Sequence, residues 1–103
     1  MTESEYNQIT DALFARIEQS IDDSGVDVEC NLSGSVLTIE FGDRSQVIVN
    51  RHAPHQEMWL AAKSGAYHFA YQEGKWLSRR DDSEFYSKLS EVMLLGCGEI
   101  VTF

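Results

Sequence analysis

A chain of 103 residues, 43% hydrophobic and 11% aromatic with a single proline, has the makeup of one folded domain spanning residues 1–103, which excludes a disordered chain. No apolar run nears the roughly 20 residues of a membrane helix, the acidic start lacks a secretory signal, and Cys30 and Cys97 have no zinc or redox spacing. A net charge of −9 disfavours nucleic acid and anionic membrane as partners.

Two isolated cysteines suit a reducing compartment, so a cytoplasmic location is expected. The charge is unevenly placed. Residues 1–43 hold ten acids against one base, Arg16, whereas residues 44–103 are neutral. Such an asymmetry draws cations and basic protein patches to the N-terminal part of the chain.

The first element is a helix from Thr2 to about Asp23. Tyr6, Ile9, Leu13, Ile17 and Ile21 recur at three- and four-residue spacing and form one apolar stripe. Thr2 and Glu5 stand in capping-box relation, and Gly25 supplies a left-handed stop. Val26–Leu32 then alternates as a half-buried strand with Asp27, Glu29 and Asn31 outward. Ser33-Gly34-Ser35 turns the chain into a second strand with Leu37, Ile39 and Phe41 on one face, and Gln46–Asn50 is a third. Arg51–Glu57, with the only proline, reads as a loop. Shorter strands are predicted at Met58–Ala62, Ala66–Tyr71 and Lys75–Leu77. Asp81, Asp82 or Ser83 caps a second helix running to about Leu95, with Phe85, Leu89, Val92 and Met93 inward and Gly96 and Gly98 ending it. Helix, about six strands, helix is an α+β order. The simplest architecture is a two-layer sandwich, with both terminal helices on one face of an antiparallel sheet.

On the first helix, Asp11, Glu18 and Asp22 fall within about 40° of one another, well away from the apolar stripe. Asp23 flanks them, and Asp27 and Glu29 continue the row onto the next strand. This ridge opposes local stability. Glu18 and Asp22 are like charges at i,i+4, and three acids crowd a helix C-terminus, where the macrodipole disfavours anions. A bound cation or a partner's Arg and Lys would relieve both penalties; a merely solvated helix face is the competing reading. Carboxylates without paired His or Cys favour hard cations such as ferrous or ferric iron, manganese and calcium, held weakly and with little discrimination.

Strand alternation places Trp59 opposite in sense to Met58 and Leu60, hence on the sheet face that the helices leave free. There it serves either as an interface anchor or as cover over neighbours such as Val36 or Ile48. His52 or His55 could add a metal ligand, with a solvated loop histidine the favoured reading; His68 reads as a sheet-surface residue and Cys30 as an inert buried thiol. No phosphate loop, nucleophile elbow or metal-protease motif is present, so no enzyme is expected.

The run Asn50-Arg51-His52-Ala53-Pro54-His55-Gln56-Glu57-Met58-Trp59-Leu60, followed by Gly65-Ala66-Tyr67-His68-Phe69, resembles the signature region of the frataxin family, in its bacterial CyaY branch. The resemblance covers nearly the whole chain, including Ser4-Glu5-Tyr6, Ile17-Glu18, Asp22-Asp23, the strand pair around Leu37 and Ile48, and Trp76. It implies the two-helix sandwich. It implies iron binding by the carboxylates of the first helix and strand, and a role in iron–sulfur cluster assembly as a regulator, iron donor or sensor. The implied partners are the cysteine desulfurase and its scaffold protein, met by Glu18, Asp22 and Asp23 and by Asn50, Pro54 and Trp59 on the sheet. A monomer is implied, with metal-driven oligomers left open. Gln19, where close relatives often carry an acid, and His52, often Gln, depart from the pattern. The rival reading is a metal-independent acidic adaptor whose carboxylates only steer docking.

Overall fold

A computed structural model describes residues 1–103. Helix α1 (Glu3–Ser24) is followed by β1 (Glu29–Ser33), β2 (Val36–Glu40), β3 (Gln46–His52), a one-turn 3-10 helix at Ala53–His55, β4 (Glu57–Ala62), β5 (Gly65–Gln72), β6 (Lys75–Ser78) and α2 (Phe85–Cys97). The six strands form one antiparallel sheet in sequence order. Each strand pairs with the next because every connection is short.

The helices cover one face. Nineteen buried hydrophobic residues form a single core in which Leu13, Phe14 and Ile17 of α1 and Phe85, Leu89 and Met93 of α2 meet Leu37, Ile39, Val49, Met58, Leu60 and Phe69 of the sheet. The α1 stripe is broader than the spacing alone suggests: Thr10 and Phe14 are buried, while Ile9 is only partly so. Thr10 tolerates this site because its hydroxyl donates to the Tyr6 carbonyl at 2.8 Å.

Thr2 and Glu5 form the expected reciprocal capping box, and Gly25 closes the helix at φ 71°. β1 is shorter than predicted. Val26–Val28 forms a tight turn, with the Val28 N–H bonded to the Val26 carbonyl, and pairing with β2 begins only at Glu29. β3 in turn runs two residues further than predicted, to His52.

The start of α2 also differs. None of Asp81, Asp82 or Ser83 caps it. Asp81 instead accepts from the backbone and hydroxyl of Ser83 at 3.1 and 2.7 Å, a bridge between Leu77 and Glu84 prolongs the sheet, and the helix opens at Phe85 without a side-chain cap. At its other end Gly98 alone is the left-handed stop. Gly96 lies inside the last turn, where a Cβ would run into the Phe41 ring.

Candidate functional site

The acids of the N-terminal part divide once their surroundings are known. Asp11 is ion-paired with Arg51, which reaches from the inner face of β3, donates to the Thr10 hydroxyl at 2.6 Å and lies over the Phe14 ring. Its carboxylate therefore ties α1 to the sheet. Glu18, Asp22 and Asp23 are exposed and have no basic partner, and the last turn of α1 contains no base. Arg16, the one cation of this segment, turns away: it donates to the Phe103 carbonyl at 2.7 Å and stacks over Tyr86. Asp23 accepts only from the neutral amide of Gln19, at 2.8 Å.

Glu18 and Asp22 overhang a shallow groove floored by Ile21, Val26, Val28 and Cys30. Burial, reinforced by the Glu18 charge, pushes the Cys30 thiol up to about 11. Cys30 is thus a half-buried neutral thiol at neutral pH, in keeping with an inert role.

Glu29 is exposed on the edge strand, and Asp27 is exposed in the turn before it. The β1–β2 register sets Glu29 directly opposite Glu40, a like-charge pair that costs stability unless something neutralises it. Glu40 was missed in the sequence reading. The hairpin held the signal, because pairing Ser33 with Val36 and counting back brings 29 to 40. The acidic surface therefore runs from Glu18, Asp22 and Asp23 through Asp27 to Glu29 and Glu40. No three acidic, histidine or cysteine side chains converge tightly enough to cage an ion.

Trp59 sits on the outer sheet face, half-buried, with Asn50 its direct neighbour on β3 and His68 on β5. Its indole is packed between two imidazoles rather than over Val36 or Ile48. His52 lies 4.0 Å from it on one side and His68 4.2 Å on the other, all nearly parallel. Its N–H donates to Glu57 at 3.0 Å, and Arg79 holds the other carboxylate oxygen of Glu57. Burial pushes the Glu57 carboxyl up, but the Trp59 and Arg79 donors outweigh it and leave the group below its ordinary value of 4.5. Pro54 is exposed in the adjacent 3-10 turn. Asn50, Pro54 and Trp59 therefore share one region, and the acids of α1 lie on the opposite layer.

Residues 1–99 match the family model described as the frataxin-like domain. The chain is 55% identical over 101 residues to the protein named iron-sulfur cluster assembly protein CyaY of Neisseria meningitidis, covering 98% of this chain and 94% of that one. It is 52% identical over 103 residues to the like-named protein of Chromobacterium violaceum, covering 100% and 98%. Among solved structures it superposes on frataxin from Psychromonas ingrahamii with a TM-score of 0.95 at 37% identity, covering 99% and 97%. The trimeric frataxin of the yeast Saccharomyces cerevisiae, solved in complex with ferrous iron, shares the fold at 23% identity and a TM-score of 0.73, covering 96% and 90%.

Proposed function

The chain belongs to the frataxin family, and from that premise we propose that it is a non-catalytic, iron-binding protein of iron–sulfur cluster assembly acting in the cytoplasm. One observation carries the reading. Glu18, Asp22 and Asp23 crowd the negative end of α1 with no basic residue to offset them, while the only nearby cation faces elsewhere. Stability alone would favour lysines there. The arrangement makes sense as a surface kept negative for something positive to bind. Relatives of more than half identical sequence are named for cluster assembly.

In this proposal Glu18, Asp22 and Asp23, extended by Asp27, Glu29 and Glu40, hold ferrous or ferric iron weakly, with water completing the coordination. Other hard divalent cations compete at the same surface. The same carboxylates meet a basic patch on the cysteine desulfurase, and Asn50, Pro54 and Trp59 contact the assembly through the scaffold protein. Asp11, committed to Arg51, contributes to the field more than to the ligand set. The monomer is the working unit.

Nuclear magnetic resonance titration with ferrous iron, followed by the desulfurase, tests this on one set of backbone assignments. Iron is expected to perturb residues 18–29 first, and desulfurase capture is expected to weaken as salt rises. Charge reversal at Asp22 and Asp23 that leaves both responses unchanged would overturn the proposal. The lack of a converging triad of donors also favours a second reading, a metal-independent adaptor. It keeps the salt-sensitive partner and shows no localised response to iron.

A further inference from the structure

His52 and His55 meet for a local reason. In a 3-10 turn the side chains at i and i+3 eclipse, and the turn at Ala53–His55 stands immediately after His52. Pro54 fixes the backbone within it, and Gln56 closes it in the left-handed region at φ 51°. The turn is held from outside as well. The Tyr6 hydroxyl donates to the Glu57 carbonyl at 2.6 Å, and the Gln56 amide to the Met1 carbonyl at 2.9 Å. His52 is further pinned by its stack on Trp59.

The two rings stand end to end. His52 Nε2 and His55 Nδ1 are 2.9 Å apart, with ring centroids at 5.1 Å and planes 23° apart. Two imidazole nitrogens bound to one metal at about 2.0–2.1 Å lie about 2.9 Å apart for a 90° bite and about 3.3 Å apart for a tetrahedral one. In the metal-free pair that contact is a hydrogen bond with both ring nitrogens nearly on one line, so the 2.9 Å shows that the two donors reach each other. The exposed His55 ring has to swing its Nδ1 off that line, while His52 stays on Trp59, for both lone pairs to meet at one metal.

We infer that His52 and His55 form a second metal site, made of nitrogen donors, for a borderline divalent cation of tetragonal geometry, Cu2+ before Ni2+. Imidazole suits these ions, Cu2+ heads the affinity order, and square-planar or tetragonal coordination is theirs and not that of Zn2+. In the neutral pair one ring nitrogen at the contact carries a proton. Moving it to the far nitrogen of the same ring frees both donors, so binding releases no net proton from the neutral form. The remaining positions go to water. This site is independent of Glu18, Asp22 and Asp23, which lie on the helix layer and offer only oxygen.

Trp59 makes the site readable. An indole 4.0 Å from His52 is expected to lose its emission when Cu2+ binds there, whereas Trp76 is buried in the core between the layers. Cu2+ is titrated into the wild-type chain, His55→Ala, Trp59→Phe and the triple variant Glu18→Gln, Asp22→Asn, Asp23→Asn. The wild type and the triple variant are expected to show quenching that saturates at one equivalent, with an electron paramagnetic resonance signal split by two nitrogens. His55→Ala removes an exposed side chain that carries no fold contact beyond His52, so the variant is expected to fold. Its Cu2+ affinity is expected to fall by about tenfold or more, with the two-nitrogen splitting gone. Trp59→Phe is expected to keep the resonance signal and lose the quenching. Unchanged affinity and splitting in His55→Ala overturn the inference, as does loss of the site in the triple variant.

Discussion

Trp59 donates its indole N–H to Glu57, two residues earlier on the same face of β4. This makes an acid that is only 5% exposed the support of the sheet's outer face. With Arg79 on its other oxygen, Glu57 satisfies both neighbours. Glu57→Ala strands the half-buried indole N–H and releases the more exposed Arg79 to water, and a loss of about 1–3 kcal/mol is expected. Glu57→Gln keeps an acceptor for Trp59 and should lose less. The sign of the pH effect follows from the depressed carboxyl. Its contribution is complete above 4.5 and disappears as pH falls through the lower folded value. Urea denaturation across that range should show a steeper acid loss in the wild type than in Glu57→Gln.

Gly96 lies where α2 crosses Phe41. Helix propensity favours alanine over glycine by about 1 kcal/mol, yet a Cβ here would overlap the Phe41 ring. Phe41 is itself buried, so the ring has little room to retreat. Gly96→Ala is expected to destabilise by about 1–3 kcal/mol through overpacking. Phe41→Leu in the same chain should recover part of that loss. Thermal unfolding of the single and double variants measures the coupling.

The parts of this fold that were legible in the sequence are those fixed by near neighbours. Thr2, Glu5 and Gly25 bound α1 within their own turns, and the Gly34 turn alone sets the hairpin register that pairs Glu29 with Glu40. Long-range contacts decided the rest. The opening of α2 offered three capping residues in a row, and a bridge from Leu77 to Glu84 left them all outside the helix. Asp11 belonged by helical angle with Glu18 and Asp22, but its partner Arg51 arrives from 40 residues away. Glu57 read as a loop acid because Arg79, which lets it be buried, is 22 residues further on. The two histidines read as separate loop residues in the sequence, since only the 3-10 turn brings their rings together.

Asp22 is where the stability and the proposed function of the acidic surface part company. It is exposed in the last turn of α1, four residues after Glu18, with no base beside it. Asp22→Lys turns an unfavourable dipole interaction into a favourable one, and a gain of about 0.3–1 kcal/mol is expected at low salt. The same change replaces a like-charge i,i+4 pair with an attractive one to Glu18, which adds about a few tenths of a kcal/mol. Both gains should shrink as salt rises. The variant is also expected to bind iron and the desulfurase more weakly. Chemical denaturation at two ionic strengths, read beside the binding titration, separates the two effects.

Cys30 reports on the same surface from beneath. Burial is the larger cause of its raised thiol, and the Glu18 charge is the smaller. With the group near 11 in the fold against 9.0 ordinarily, only a small fraction is thiolate at about pH 8–9, and the thiolate is the species that alkylates. Slow modification of Cys30 by iodoacetamide is therefore expected in the native protein, followed by fast modification in urea. Glu18→Gln removes the minor cause and should raise the native rate by no more than about threefold. Because the raised thiol favours the protonated form, its stabilising contribution is whole below 9.0 and is lost as pH climbs towards 11. Mass spectrometry of alkylated peptides against time gives the rates. A native rate for Cys30 equal to that in urea would mean that the groove under Glu18 opens to solvent far more than its packing against Ile21, Val26 and Val28 allows.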